Sequence, residues 1–295
     1  MTGPTAVGKT DMAIQLARLY QTEIISCDSR QFYRGLDIGT AKPEMQELAS
    51  VKHHFINNKE PNELFGAGDF AREAKLLLDA LFLKNKIVIM AGGSGMYIDA
   101  LVNGVDEFED VPSEFRERLN AEFEKNGLEF IQEKLRNADP VYFEKVDRNN
   151  PQRMIRALEV CEYTGKPYSS FLSKSRSVNQ FVPIFILLNM DREKLYNRIN
   201  ERVEKMMEKG LLEEVKNLVP YRNHNALKTV GYKELFEYLD GKCSLQEAVN
   251  AIKQHTRNYA KRQLTWFRNK NESETFDPSE IEKIKAYLEL IIKHG

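Results

Sequence analysis

Cysteine is scarce in this sequence, and neither sign of charge is in excess. Cys27, Cys161 and Cys243 stand apart among the 295 residues, with no CxxC pair and no even-numbered framework. A disulfide-stapled secreted domain is therefore excluded, no zinc cluster is expected, and a reducing compartment fits. Lys plus Arg number 43 against 44 Asp plus Glu, for a formal net charge of −1. The whole chain thus exerts no pull on a polyanion, and any surface for nucleic acid has to be local. Long apolar runs are also missing: the longest, around Val182 to Leu188, is too short to span a bilayer. The opening Met1-Thr2-Gly3-Pro4 has no charged leader followed by an apolar run. A cytoplasmic, monomeric protein without membrane contact is expected.

What is present alternates short β-branched runs with long amphipathic stretches, the pattern of an α/β fold. Strands are expected at Glu23–Cys27, Lys86–Met90 and Pro183–Leu188, dense enough in Ile, Val and Leu to be buried and parallel. Ligands collect beyond the carboxyl ends of such strands, which places Asp28, the Gly92-Gly93-Ser94 turn and Asp191 around one crevice. More than a single crossover helix separates the second run from the third. Residues 111–175 read as a helical insertion, with amphipathic stretches at Ser113–Glu124 and Leu128–Leu135 and a third opened by Asn150 as N-cap and Pro151 as first helical residue. Residues 1–110 and 176–295 form the expected core. After Asp191 the chain reads as helical to its end, and His53 and His54 read as loop.

Gly3, Pro4, Thr5, Ala6, Val7, Gly8, Lys9 and Thr10 fit G-x-x-x-x-G-K-[ST] at every fixed position and run into helical sequence. In such a loop the backbone N–H groups turn inward around phosphate oxygens. The helix N-terminus adds positive potential, Lys9 supplies a point charge, and Thr10 can hold Mg²⁺. The fold expected is therefore a P-loop NTPase-like parallel sheet core with a helical insertion domain. Only two residues precede Gly3, so the strand that normally enters this loop is expected to be missing before Met1. No N-K-x-D tetrad reads guanine, and the second strand runs into Ala91-Gly92-Gly93-Ser94 instead of an acidic residue. The motif establishes a phosphate site and leaves the nucleotide open.

Several further segments, in order, resemble the tRNA dimethylallyltransferase family over essentially the whole chain. They are Ser26–Tyr33, Asp37–Pro43, Gly92–Tyr97, Asn150–Glu159, Val230–Glu234 and Thr256–Gln263. The resemblance implies that the loop, with Lys233, holds dimethylallyl diphosphate rather than ATP, that Mg²⁺ assists departure of pyrophosphate, and that the adenosine 3′ to the anticodon enters a channel leading to that diphosphate. It gives Asp28, Lys9 and Ser94 catalytic roles, with Asp28 as the base that helps a delocalised adenine amine react. Contact with the tRNA anticodon stem-loop falls to Asp28, Ser29, Arg30, Gln31, Ser94, Arg116, Gln152, Arg153, Met154, Ile155 and Arg156. A helix-surface ion pair is an equal reading of Arg153. Ala251 to Lys270 holds six Lys or Arg and no acidic residue, and helical spacing aligns Lys253, Arg257, Lys261 and Arg268 opposite Tyr259 and Trp266. Arg257 and Lys261 are taken as phosphate contacts. Three other functions stay open: an adenylate isopentenyltransferase, whose relatives lack the insertion, a P-loop small-molecule kinase using ATP, and a non-catalytic RNA-binding protein.

Overall fold

A computed structural model describes residues 1–104, 111–172, 180–270 and 273–294. The chain divides into two compact units, Met1–Val102 with Asn179–Gly295, and Asn103–Val178. The second begins ahead of the Val111 expected from sequence, and the expected end at Ser175 lies outside the described residues.

In the first unit, β1 (Ile24–Cys27) pairs in parallel with β2 (His53–His54) and β3 (Ile89–Gly92), and β4 (Ile186–Leu188) pairs in parallel with β5 (Glu274–Phe276). Met1 and Thr2 lie between the two sets. The Met1 amino group donates to the Met90 carbonyl at 2.6 Å and the Gly92 N–H to the Met1 carbonyl at 3.2 Å. On the other side, Thr2 donates to Ile186 and accepts from Leu188, both at 2.8 Å. The hydrogen-bonded order is β2-β1-β3-(Met1–Thr2)-β4-β5, so two residues occupy the strand position that leads into the phosphate loop.

Two strands escaped the sequence pattern. His53–His54, read as loop, is β2, and Glu274–Phe276, inside the stretch read as helical, is β5. Runs of two and three residues carry no periodicity of their own; they exist because β1 and β4 offer edges with unpaired N–H and C=O groups. The second expected strand also shifts forward, so that Gly92 ends β3 and the turn begins at Gly93.

Among the described residues the α-helices of this unit are α1 (Lys9–Leu19), α2 (Met45–Ser50), α3 (Ala67–Phe82) and α4 (Gly95–Asn103), followed after the second unit by five more. In the second unit stand α5 (Ser113–Ala138), α6 (Pro140–Phe143) and α7 (Pro151–Thr164). The later five are α8 (Arg192–Glu208), α9 (Leu211–Asn217), α10 (Tyr232–Leu239), α11 (Leu245–Lys270) and α12 (Ile281–His294). α1 buries Met12, Ile14 and Leu16 beside Ile24, Ile89 and Leu188. On the other flank Phe32 meets Phe65 edge-on, with ring centroids 5.1 Å apart. Such burial contributes about 25 cal/mol per Å² of apolar surface removed from water. Among the described residues no helix is long and apolar enough to cross a membrane.

Within the second unit, Gly127, at φ 80° and ψ −172°, breaks α5 between the two stretches that the sequence separates. Asn150 caps α7 by accepting from the Arg153 N–H at 3.2 Å, and Pro151 follows it where no donor is needed. Leu119, Ile131, Leu135, Phe143, Met154 and Leu158 form this unit's core.

Candidate active site

The loop from Gly3 to Gly8 enters α1 through two glycines for which no other residue would serve. Gly3 has φ +150°, and a Cβ on it would stand 2.6 Å from the Leu188 carbonyl oxygen. Gly8 takes a left-handed conformation at the helix N-cap, φ 106°. Val7 points into the core and is fully buried. Lys9 turns its ammonium back under the loop, donating to Gly3 O at 3.1 Å and Pro4 O at 2.7 Å. Burial pulls its pKa down to about 8 despite the opposing Asp28 carboxylate, and the neighbouring Arg202 guanidinium adds to the fall.

Two residues that sequence reasoning did not single out complete this loop. Gln263, 6% exposed on α11, accepts from the Thr5 N–H and donates to the Gly93 carbonyl, both at 2.9 Å. Arg202 on α8 donates to the Thr5 hydroxyl at 3.3 Å. Burial lowers the guanidinium's pKa, and Asp28 opposes that shift. Gln263 closes the Thr256–Gln263 segment of the family resemblance but carries no role readable from it, and Arg202 lies in no such segment. Their partners are over a hundred residues away in the chain, so only the fold assembles them.

Asp28 follows the last residue of β1 and accepts from the Arg30 N–H at 3.0 Å. Two cavities meet there. One, of about 1030 Å³, includes Lys9 and Thr10; the other, of about 490 Å³, includes Lys233, Arg30, Ser29 and the apolar Ile199 and Val203. Thr5, Asp28, Thr40, Arg202, Met206 and Tyr259 line both. The Tyr259 phenol is pushed well above its ordinary pKa by burial and then by Asp28. Ser94 accepts from the Ser29 N–H at 2.9 Å through its hydroxyl, so it shapes the turn that carries Asp28. Gln31 faces the larger cavity, but its amide is committed: it accepts from Ser26 and donates to the carbonyls of Thr40 and Ala41, each at 3.2 Å. Asp191 serves as N-cap of α8, accepting from Glu193 and Lys194, and is not part of the crevice expected for it.

The geometry thus places a phosphate-type loop, the cations of Lys9, Arg30, Arg202 and Lys233, and the Asp28 carboxylate around a cleft with an apolar wall. The sequence pattern of the IPP transferase family matches residues 31–270. A protein of Flavobacterium johnsoniae named tRNA dimethylallyltransferase is 48% identical over 285 residues, covering 95% of this chain and 92% of its own. One of the same name from Christiangramia forsetii is 49% identical over 288 residues, with 97% and 95% covered. The chain belongs to the IPP transferase family. Among solved structures, a tRNA isopentenylpyrophosphate transferase of Bacillus halodurans superposes with a TM-score of 0.72 at 37% identity, covering 99% of this chain and 95% of that one. A eukaryotic dimethylallyltransferase acting on tRNA gives a TM-score of 0.77 at 29% identity, covering 90% of this chain and 68% of that one.

The remaining residues that the family resemblance singles out lie elsewhere. Arg116 on α5 and Arg156 on α7 both pair with Glu159, which is 2% exposed; Arg116 does so through two bonds, at 2.7 and 2.6 Å. One buried carboxylate thereby holds two guanidinium groups side by side in the second unit. Gln152 and Arg153 are exposed, and among the described residues no carboxylate forms an ion pair with Arg153. Met154 and Ile155 belong to that unit's core, 0% and 3% exposed, so their side chains are spent on packing and an RNA contact at these two positions is left to the backbone. The basic stripe of α11 is likewise less open than its spacing implies. Lys253 pairs with Glu204, and Arg257 donates to Asn200 at 2.6 Å, so both lean on α8, whereas Lys261 is exposed.

Proposed function

We propose that this protein transfers a dimethylallyl group from dimethylallyl diphosphate to the exocyclic amine of the adenosine 3′-adjacent to the anticodon in tRNA. The core acts as a P-loop NTPase-like sheet turned to prenyl transfer, and diphosphate is released. The observation that carries this reading is the position of Asp28, whose carboxylate borders both the cavity of the phosphate loop and the apolar-walled cavity beside it.

The chemistry divides among named groups. Backbone N–H groups of Gly3 to Thr10 and the Lys9 ammonium hold the diphosphate, and Arg202 adds charge where the leaving oxygen develops it. As the amine nitrogen bonds to the prenyl carbon, the carbon–oxygen bond to diphosphate breaks and Asp28 accepts the amine proton. Ile199, Val203 and Met206 line the cleft as an apolar wall for five carbons. Arg30 and Ser29 line the side from which the base enters, Lys233 faces the same cavity, and Ser94 holds the turn. Arg116, Gln152, Arg153 and Arg156, together with Lys261 and Arg257, supply phosphate contacts.

The residues fit Mg²⁺ as a substrate-borne ion. Among the described residues no three His, Cys, Asp or Glu side chains converge on a metal site. Thr10, Asp28 and Gln31 do border a small void of about 50 Å³ beside Lys9. Thr10 would hold the ion together with diphosphate oxygens and water, as Mg²⁺ prefers. When bound, it neutralises charge on the departing diphosphate.

The test offers dimethylallyl diphosphate and Mg²⁺ with bulk tRNA or AMP as acceptor, beside an ATP-consumption control. Incorporation into tRNA alone is expected; transfer to AMP, or ATP turnover without transfer, overturns the reading. Asp28→Asn should lower single-turnover transfer by at least about 10²-fold, the lower end of general-base contributions. Binding of each substrate should change far less. A transfer rate within a few fold of wild type, with diphosphate affinity collapsed, would move Asp28 from proton acceptor to metal partner.

A further inference from the structure

Glu214 stands outside every motif in the sequence and does not line the cleft, yet its carboxylate is saturated with donors. Its Oε2 accepts from the Asp37 N–H at 2.9 Å and the Ile38 N–H at 2.7 Å. Its Oε1 accepts from the Gly39 N–H at 3.0 Å and the Tyr232 hydroxyl at 2.7 Å. Three successive backbone N–H groups converging on one anion form a nest, and bonds to an ionised acceptor are the stronger kind. The carboxylate comes from α9, so three separate stretches of chain are tied at one point.

Both tied segments belong to the cleft. The Asp37–Pro43 loop puts Thr40 on both cavities and Lys42 on the larger one. The loop is held at its other end by Gln31, three residues after Asp28, through the carbonyls of Thr40 and Ala41. Tyr232 is fully buried and immediately precedes Lys233, which faces the smaller cavity. Contact across the tie is tight: a Cβ on Gly39 would lie 2.6 Å from three atoms of the Tyr232 phenol. From Asp28 the path thus runs through Gln31 to the loop, through Glu214 to Tyr232, and on to Lys233.

We propose that Glu214 is a positioning residue for the transfer reaction: by clamping the Asp37–Gly39 backbone to Tyr232, it fixes the spacing between Asp28 and Lys233, which line the same cavity. The inference rests on the function proposed above, in which Asp28 accepts the proton. Glu214 touches neither substrate. Its effect is on alignment of bound reactants, to which rate is far more sensitive than affinity; a misplacement of about 1 Å can cost on the order of 10²-fold.

Glu214→Gln tests this with little change of shape, because an amide cannot accept at both ends and at least one end of the nest is left facing N–H donors. Single-turnover transfer should fall between about 10-fold and 100-fold. Affinity for dimethylallyl diphosphate, read by titration, should fall by clearly less than the rate, since the Gly3–Thr10 loop is untouched and only the Lys233 contact is displaced. Glu214→Asp, which restores the charge on a shorter arm, should recover part of the rate. Tyr232→Phe removes one donor and should slow transfer less than Glu214→Gln, and the double variant should be no slower than Glu214→Gln alone. Transfer within twofold of wild type in Glu214→Gln, with only the Tm lowered, would reduce Glu214 to a structural tie. Should that variant not fold, wild-type rates in both Glu214→Asp and Tyr232→Phe would be equally fatal. Failure of the wild-type protein to prenylate tRNA would strike at the proposed function instead, whatever the variants do.

Discussion

Lys9 shows how one side chain can be costly to the fold and still suit the proposed site. Its pKa of about 8 in the folded chain, against 10.5 outside it, arises mainly from burial. For stability the sign is direct. Below pH 8 both folded and unfolded chains hold the proton and the burial penalty is full; between about 8 and 10.5 the unfolded chain binds more protons, so this group's contribution to stability rises with pH. For diphosphate binding the sign reverses, because the anion needs the ammonium. Titrations with pyrophosphate should show affinity falling as pH rises through about 8, a dependence that Lys9→Ala should flatten while losing most of the turnover. Wild-type-like turnover in that variant would remove the loop from the reaction. Gln263 makes a second prediction at this scale. Gln263→Leu leaves the Thr5 N–H and the Gly93 carbonyl unpaired, and should cost roughly 1–3 kcal/mol for each buried group left unsatisfied, measured by denaturant titration. An unchanged midpoint would mean that water replaces the amide. The phosphate loop was legible in the sequence because its eight residues are contiguous. The roles of Gln263, Arg202, Glu214 and Glu159 were not, even though Gln263 and Glu159 sit in segments that the family resemblance covers, because each gains its role from a partner that only the folded chain brings near.

At the scale of elements, periodicity predicts which face a helix buries, not what it leans on. The spacing of Lys253, Arg257 and Lys261 on α11 is as read, but α8 carries Glu204 and Asn200 opposite the first two. Lys261→Gln should therefore reduce the logarithmic salt slope of tRNA binding by roughly 0.7 to 0.9, the loss of one phosphate contact, and Arg257→Gln by less. Filter binding across a salt series measures both, and equal effects would show that Arg257 leaves Asn200 to reach the RNA. α5 and α7 were legible for the same reason that β2 and β5 were not. A long amphipathic stretch with Asn150-Pro151 at its start carries its own signal, whereas two residues such as His53–His54 become a strand only because β1 lies alongside.

At the scale of the molecule, each compact unit has its own apolar core, one around the sheet and one around Leu119, Ile131 and Met154. Replacing Asn103–Val178 with a short Gly/Ser linker should leave dimethylallyl diphosphate binding measurable and remove tRNA binding, as two calorimetric titrations on one protein would show. Retained tRNA affinity would shift recognition to the first unit. Within that unit, Gln263 joins the phosphate loop to α11 only two residues beyond Lys261. A shift of α11 under RNA would pull on Thr5 through that amide, and the two ligands of the proposed reaction would then share a coupling free energy. Whatever factor tRNA adds to the affinity for the prenyl donor, the donor must return to the affinity for tRNA. Gln263→Leu, which cuts the α11 link to Thr5, should bring the factor, in both directions, toward one.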